Sequence, residues 1–164
     1  MASRKSERET RTQPPFRSVG FMLSTLGYAA SRRFHDVLLP LELEPSEFAV
    51  LRAVGFGEGQ SQQALAARLH ISPSHMVSIL DELEKRGLVE RRAQSGDRRV
   101  RTLHLTSKGE KLLAEAFELA KQHEQLLTKP LNAKERAQLL DLLDRIAAAL
   151  DLQPGAHAAL RDRD

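Results

Sequence analysis

The segment 83–109 places five arginines around a short turn, and it constrains the fold more than any other part of the sequence. It reads LEKRGLVERRAQSGDRRVRTLHLTSKG, which is typical of a helix end, a β-hairpin and a helix start. Residues 88–92 and 100–105 alternate apolar and polar types, as half-buried strands do. The guanidinium groups gain nothing from a protein core, whereas their fork of donors suits phosphates and base edges. A solvated charged hairpin is the alternative for such a run, which contains Arg91, Arg92, Arg98, Arg99 and Arg101.

Two short helices are predicted upstream of the hairpin. Ser61 can cap the first, QQALAARLH. Ser72 and Pro73 are an N-cap and a first helical residue for the second, which we expect to reach Arg86. Gly87 then ends it in the left-handed conformation. Helix, turn, helix and basic hairpin in this order are the parts of a winged helix-turn-helix, a mainly α fold with a two-stranded β-wing.

The flanking segments are also predicted to be helical. Apolar residues recur at helical spacing over 16–39, and a further helix is expected over about 45–54. Thr106 can cap a helix of roughly 20 residues, and Asn132 with Glu135 forms a capping box for a last one. That helix is apolar over more than one face and therefore needs cover. We expect one domain over 16–150, with tails over 1–15 and 151–164.

Composition excludes several classes of function. The net charge is only +3, but most of the positive excess lies between Lys85 and Arg101, which favours a polyanionic partner. There is no cysteine, and the six histidines lack metal-ligand spacing, so no metal site is expected. No cofactor motif or catalytic constellation occurs, so we expect no enzyme. No apolar run reaches ~18 residues and the N-terminus lacks a secretory signal, so no membrane contact and a cytoplasmic location are expected.

The second helix of the pair has two different faces. Residues at three- and four-residue spacing are expected to be buried: Met76, Ile79, Leu80 and Leu83. Ser74, His75 and Ser78 lie on the other side, near the end that can enter a major groove, and Val77 borders them. Serine reads bases weakly, and Ser72 and Ser74 could equally be helix caps, just as His75 could be only an exposed polar residue.

Residues 43–109 resemble the multiple-antibiotic-resistance regulator (MarR) family of bacterial transcription factors. The matching pieces are LEPSEFAVLRAV, SQQALAARLHISPSHMVSILDELEKRGLVERR and SGDRRVRTLHLTSKGEKLL. The D-x-R of the family's wing matches Asp97 and Arg99, and its closing L-T-x-x-G matches Leu105, Thr106 and Gly109. Each motif is short, but their order and spacing together are specific.

The resemblance implies a DNA-binding lobe over about 45–106 and dimerisation helices over about 16–39 and 107–150. In the homodimer that it implies, the first, fifth and sixth helices of both chains are interleaved, which would cover the apolar last helix. It implies that Arg99 reaches a minor groove and that Asp97 holds a neighbouring arginine. Family members often have Thr-Arg where this chain has Val77-Ser78, so the operator sequence cannot be read from the family. The predicted contacts with double-stranded DNA are Ser61, Gln62, Ser72, Ser74, His75, Val77, Ser78, Arg91, Arg92, Asp97, Arg98, Arg99 and Arg101.

Many members of the family release DNA when a small aromatic or phenolic acid binds between the dimer region and the winged lobe. Arg17, Tyr28, Arg32 and His35, on or near the first helix, are the candidate ligand contacts, because an arginine or histidine there could hold a carboxylate. The alternative is a solvated face with ordinary packing of the tyrosine and histidine. The resemblance therefore predicts a ligand-released repressor. The competing hypothesis is a winged-helix module whose basic hairpin faces an acidic protein.

Overall fold

The computed structural model describes residues 18–57, 59–94 and 97–152, with the backbone alone for 94 and 97–100. The described chain is mainly helical, with one two-stranded antiparallel sheet. Its elements are α1 (Val19–Leu38), a 3-10 turn (Leu39–Leu41), α2 (Pro45–Gly55), α3 (Gln62–Leu69), α4 (Pro73–Lys85), β1 (Val89–Gln94), β2 (Asp97–Leu105), α5 (Ser107–Leu127) and α6 (Ala133–Ala149). The predicted mainly α winged helix-turn-helix is confirmed, while the predicted tails 1–15 and 151–164 lie almost wholly outside the described residues.

Side-chain caps fix where the helices begin. The hydroxyl oxygens of Ser61, Ser72 and Thr106 accept hydrogen bonds from backbone N–H groups three residues on, at 3.2, 3.3 and 3.0 Å. Asn132 and Glu135 form the expected reciprocal capping box. Each of these predictions depended on residues within one helical turn, and each is confirmed.

Backbone turns determine where the helices end. α1 ends at Leu38, and Pro40 lies inside the 3-10 turn that follows. Glu42 closes that turn in the left-handed region, at φ 50°. Gly87 follows α4 with φ 68°, as predicted, where a side chain would be strained. The chain therefore reverses between α4 and β1 without a long loop.

Two compact units make up the chain, with the boundary between Arg33 and Phe34 in α1. In the first, the Ser18 hydroxyl accepts a hydrogen bond from the Phe21 N–H at 3.2 Å and caps the start of α1. The second contains the apolar core, which joins α2, α3, α4, the base of the hairpin and α5. Its fully buried side chains include Leu51, Leu65, Met76, Leu80, Leu83, Leu88 and Leu103. Within the described segments, no helix is both long and apolar enough to cross a bilayer.

The hairpin is locked to α5 at its base. Val89 pairs with Leu105, and the Thr106 N–H donates to the Leu88 carbonyl at 3.1 Å. Gly109, in the first turn of α5, passes against the same carbonyl so closely that a Cβ atom there would overlap its oxygen. The wing and α5 therefore meet at a point where only glycine fits.

We predict that Gly109→Ala lowers the free energy of unfolding by about 1–3 kcal/mol, because the added methyl group must displace backbone rather than a flexible side chain. Urea unfolding followed by circular dichroism measures the change. Lys111→Ala, at an exposed position of the same helix, is the matched control and should stay within about 0.5 kcal/mol of the parent protein. Equal effects of the two substitutions would contradict the close approach.

Candidate nucleic-acid interface

Helix α4 has one buried and one open face. Met76, Ile79, Leu80 and Leu83 are at most 6% exposed. Ser74, Val77 and Ser78 are exposed on the other face, and His75 is half-buried. Both faces agree with the sequence-based expectation. A helix fixed by its apolar face in this way presents the first two turns of its polar face to a partner.

The serines at the start of this region have unequal roles. Ser72 accepts the His75 N–H, so its oxygen satisfies the helix terminus. Ser74 is exposed, with its oxygen 3.3 Å from the Ser72 oxygen. Ser61 caps α3 in the same manner, and Gln62 beside it is half-buried. Of the two alternatives for Ser72 and Ser74, capping therefore applies to Ser72, while the Ser74 hydroxyl is open to solvent.

The hairpin rests against the start of α3 as well as on α5. Val89 to Ala93 pair in regular antiparallel register with Leu105 to Arg101, and the register shifts after Ala93. Ser61 forms an isolated antiparallel bridge with Thr102, and the Leu103 N–H donates to the Gln60 carbonyl at 3.0 Å. These bonds hold β2 against the start of α3.

The arginines at the base of the hairpin are paired. Arg91 on β1 binds two carboxylates of α4: its Nη2 lies 2.7 Å from Asp81 Oδ1, and its Nη1 contacts Glu84 Oε2. The Arg92 Nε donates to the carboxylate of Glu90, two residues back on the same strand, at 2.8 Å. Both arginines are predicted DNA contacts, and each would have to leave a carboxylate to bind phosphate.

The tip of the hairpin extends beyond these pairs. Arg101 is exposed on β2. Asp97, Arg98 and Arg99 belong to the backbone of the same strand, and their side chains lie outside the described residues. β2 runs from Asp97, earlier than the alternating pattern from residue 100 indicated, and its pairing with β1 is irregular beyond Ala93.

A cavity of about 400 Å³ opens between the end of α2, the base of the hairpin and α5. The rings of Phe56 and Phe117 meet there edge to face, with their centroids 5.7 Å apart. Two basic side chains of the hairpin, Arg92 and His104, complete the wall together with Glu110. The His104 Nε2 lies 2.9 Å from the hydroxyl of the buried Thr102. Apart from Arg92, none of the lining residues was predicted from the sequence to contact DNA or a ligand, because they come from three separate segments.

The candidate ligand residue His35 is not among the residues that line this cavity. Arg17 lies outside the described residues, and Tyr28 and Arg32 are exposed on α1. His35 has two carboxylates beside its ring, with Asp36 at 3.6 Å and Glu44 at 3.5 Å. A carboxylate ligand would have to displace them. Across the part of the chain that the structure covers, no three acidic or histidine side chains are grouped to hold a metal ion.

Comparisons with known proteins agree with this geometry. The sequence profile of the MarR family matches residues 41–100. A protein of Thauera aromatica assigned as a transcriptional regulatory protein for the hcr operon is 31% identical over 129 residues, which cover 78% of each chain. The transcriptional repressor CouR bound to a 23-mer DNA duplex superposes with a TM-score of 0.72 and 36% identity, covering 79% of this chain and 92% of CouR. CouR from Rhodococcus jostii RHA1 bound to p-coumaroyl-CoA superposes with a TM-score of 0.69 and 30% identity, covering 80% of this chain and 92% of CouR.

We predict that Ser72→Ala lowers the free energy of unfolding by about 1 kcal/mol, because the first turn of α4 loses its side-chain acceptor. Ser74→Ala, two residues away and exposed, is the matched control and should change stability by less than about 0.5 kcal/mol. Chemical denaturation of the two variants side by side measures the difference. A cost at Ser74 equal to that at Ser72 would mean that the cap is assigned to the wrong residue.

Proposed function

Because the chain belongs to the MarR family of winged helix-turn-helix transcription factors, we propose that it is a homodimeric repressor of a pseudo-palindromic operator, released by a small aromatic or phenolic ligand. The observation that carries the proposal is the open face of α4 beside the arginine-rich hairpin. A helix fits the major groove of B-DNA, and a two-stranded wing beside it reaches the neighbouring minor groove.

Contacts with bases come from the first turns of α4. Ser74 and Ser78 can donate and accept, Val77 can touch a thymine methyl group, and His75 lies at their edge. The second half of the same face is acidic, with Asp81, Glu82 and Glu84, and would repel phosphate. α4 therefore enters the groove by its N-terminal end.

Contacts outside the major groove fall to the wing and to α3. Arg99 is assigned to a minor groove, where narrow A·T-rich segments attract arginine, and Asp97 to holding a neighbouring arginine. Arg98 and Arg101 lie on the same strand and can neutralise phosphates. At the start of α3, Ser61 and Gln62 are the residues that we expect to contact the DNA backbone.

The exposed leucines of α6 support the proposal of a dimer. None of its residues is buried within the described chain, although it carries Leu139, Leu140, Leu142 and Leu143, between 36% and 60% exposed. A continuous stripe of leucine on one terminal helix needs apolar cover. A second copy of the chain supplies it symmetrically and places two α4 helices side by side for the two halves of an operator.

The cavity supports the proposal of a small-molecule ligand. Phe56 and Phe117 offer aromatic walls, and Arg92 and His104 offer donors to an acidic group. CouR, a protein of the same fold, binds p-coumaroyl-CoA. The cavity is walled partly by the base of the hairpin, so a ligand there would bear on the wing. Differential affinity of that ligand for two wing positions would suffice to release DNA. The predicted contacts Arg17, Tyr28, Arg32 and His35 stay a separate prediction for where an acidic group of the ligand is held.

We predict that the protein discriminates a duplex that it selects from a random library, with the logarithm of affinity falling against the logarithm of salt at a slope of about −7, for on the order of 8 neutralised phosphates. Arg99→Ala should weaken binding at least about tenfold, because a charged hydrogen-bond donor is lost from each subunit. Fluorescence anisotropy measures both quantities. Unchanged affinity of the Arg99 variant, or binding that heparin abolishes, would contradict operator recognition by the wing.

We predict that Leu140→Asp shifts the protein from dimer to monomer, because two carboxylates would be buried across a two-fold contact. Sedimentation velocity measures the mass. Gln138→Asp adds the same charge at an exposed polar position of α6 and should leave the dimer intact. A monomeric parent protein, or a dimer in both variants, would contradict α6 as the dimer contact.

A further inference from the structure

We propose that Arg91 sets the position of the wing relative to α4 and does not itself contact DNA. The inference rests on the proposed function, because the spacing that it fixes is the one between a major-groove helix and a minor-groove wing. It assigns to a residue of the basic hairpin a role different from that of its neighbours.

The first observation is that Arg91 joins two elements. Asp81 and Glu84 are three residues apart, so their carboxylates lie one above the other on one side of α4. The guanidinium of Arg91 on β1 contacts both, one nitrogen to each carboxylate. Side chains two apart on a strand share a face, so Arg91 lies on the same side of β1 as the buried Val89. Its side chain is only 19% exposed, which places the guanidinium between helix and hairpin.

The second observation is the charge of this cluster. One guanidinium and two carboxylates leave a net charge of −1. While the pairs are intact, both of the carboxylate-facing edges of Arg91 are occupied, and a phosphate would have to compete with two acceptors held on a rigid helix. Arg91 therefore adds nothing to the positive potential that attracts DNA, whereas Arg101 and the arginines of the tip do.

The third observation is that α4 is itself fixed. Arg86, at its C-terminal end, pairs with Glu47 of α2 at 3.4 Å and donates to the Leu41 carbonyl at 3.3 Å. The Lys108 Nζ in turn donates to the Arg86 carbonyl at 2.8 Å. α4 is thus anchored to the core at its end, and the Arg91 side chain ties β1 to that anchored helix. Without the tie, the hairpin is held by its base on α5 and by its backbone bonds to the start of α3.

Lys121 provides a matched comparison. Its partner Glu118 lies on the same helix, α5, so this ion pair connects no two elements, and the Lys121 side chain is 65% exposed. The double variants Arg91→Ala with Glu84→Gln and Lys121→Ala with Glu118→Gln each remove one basic and one acidic side chain. Both leave the net charge unchanged, so the two variants differ in geometry and not in total charge.

The experiment measures the affinities of the full-length protein and these variants for two duplexes by fluorescence anisotropy. One duplex is selected by the parent protein from a library with about 30 randomised base pairs, and the other is a scramble of the same composition. Thermal unfolding and sedimentation velocity verify that each variant is folded and has the parent's mass.

The expected result for the Arg91 pair is that the ratio of the two affinities falls about tenfold, because a wing free to move loses its specific contacts first. The salt slope on the scrambled duplex should stay at the parent value, since no phosphate contact is removed. The Lys121 pair should keep the ratio of the two affinities within about twofold. The variant Asp81→Asn with Glu84→Gln frees Arg91 from its carboxylates. It should bind the scrambled duplex more tightly and no longer prefer the selected duplex.

Three results would overturn the inference. A salt slope flatter by about 2 per dimer in the Arg91 pair would make Arg91 a phosphate contact. A gain in affinity for the selected duplex in the Asp81 and Glu84 variant, with the ratio kept, would do the same. Unfolding of the Arg91 pair at a much lower temperature, with equal losses on both duplexes, would make its role purely structural. A parent protein that selects no duplex would instead refute the proposed operator binding, which is a separate outcome.

Discussion

The orientation of α4 depends on its buried apolar face, and the rest of the interface follows from that orientation. Met76, Ile79, Leu80 and Leu83 are each worth roughly 1.5–3 kcal/mol when removed from water, so rotating the helix about its axis is costly. The same four positions fix which residues remain outside. The proposed reading of bases by short serine side chains needs a helix of fixed rotation, because such side chains cannot reach far enough to compensate for a rotated helix.

The starts of the helices and the class of fold could be predicted from the sequence because their causes are local. A serine, threonine or asparagine at an N-cap acts on a backbone group three residues away, so Ser61, Ser72, Thr106 and Asn132 marked their helices without knowledge of the tertiary structure. The alternation in the hairpin and the basic turn gave the wing. The glycine after α4 also acts locally, through its own backbone angle.

The pairing of the hairpin arginines could not be predicted in the same way, because it depends on how the hairpin folds back on α4. In the sequence, Arg91 and Arg92 are adjacent and equivalent. In the structure, alternation along β1 sends one toward Asp81 and Glu84 and leaves the other beside Glu90. The three-residue spacing of the two acidic residues was a usable signal, but it gains meaning only once the strand lies beside the helix. The cavity is a similar case, since Phe56 and Phe117 are distant in sequence and meet through packing of α2 on α5.

In the proposed complex, α4 lies in one groove of DNA and the wing, tied to α4, lies in the next. Methylation interference tests this arrangement most directly. Dimethyl sulfate methylates guanine N7 in the major groove and adenine N3 in the minor groove, so one experiment on the selected duplex reports both elements. We expect guanine interference in two patches about one helical turn apart, roughly 10 base pairs, with adenine interference in the adjoining minor grooves. Interference in a single patch, or confined to one groove, would contradict it.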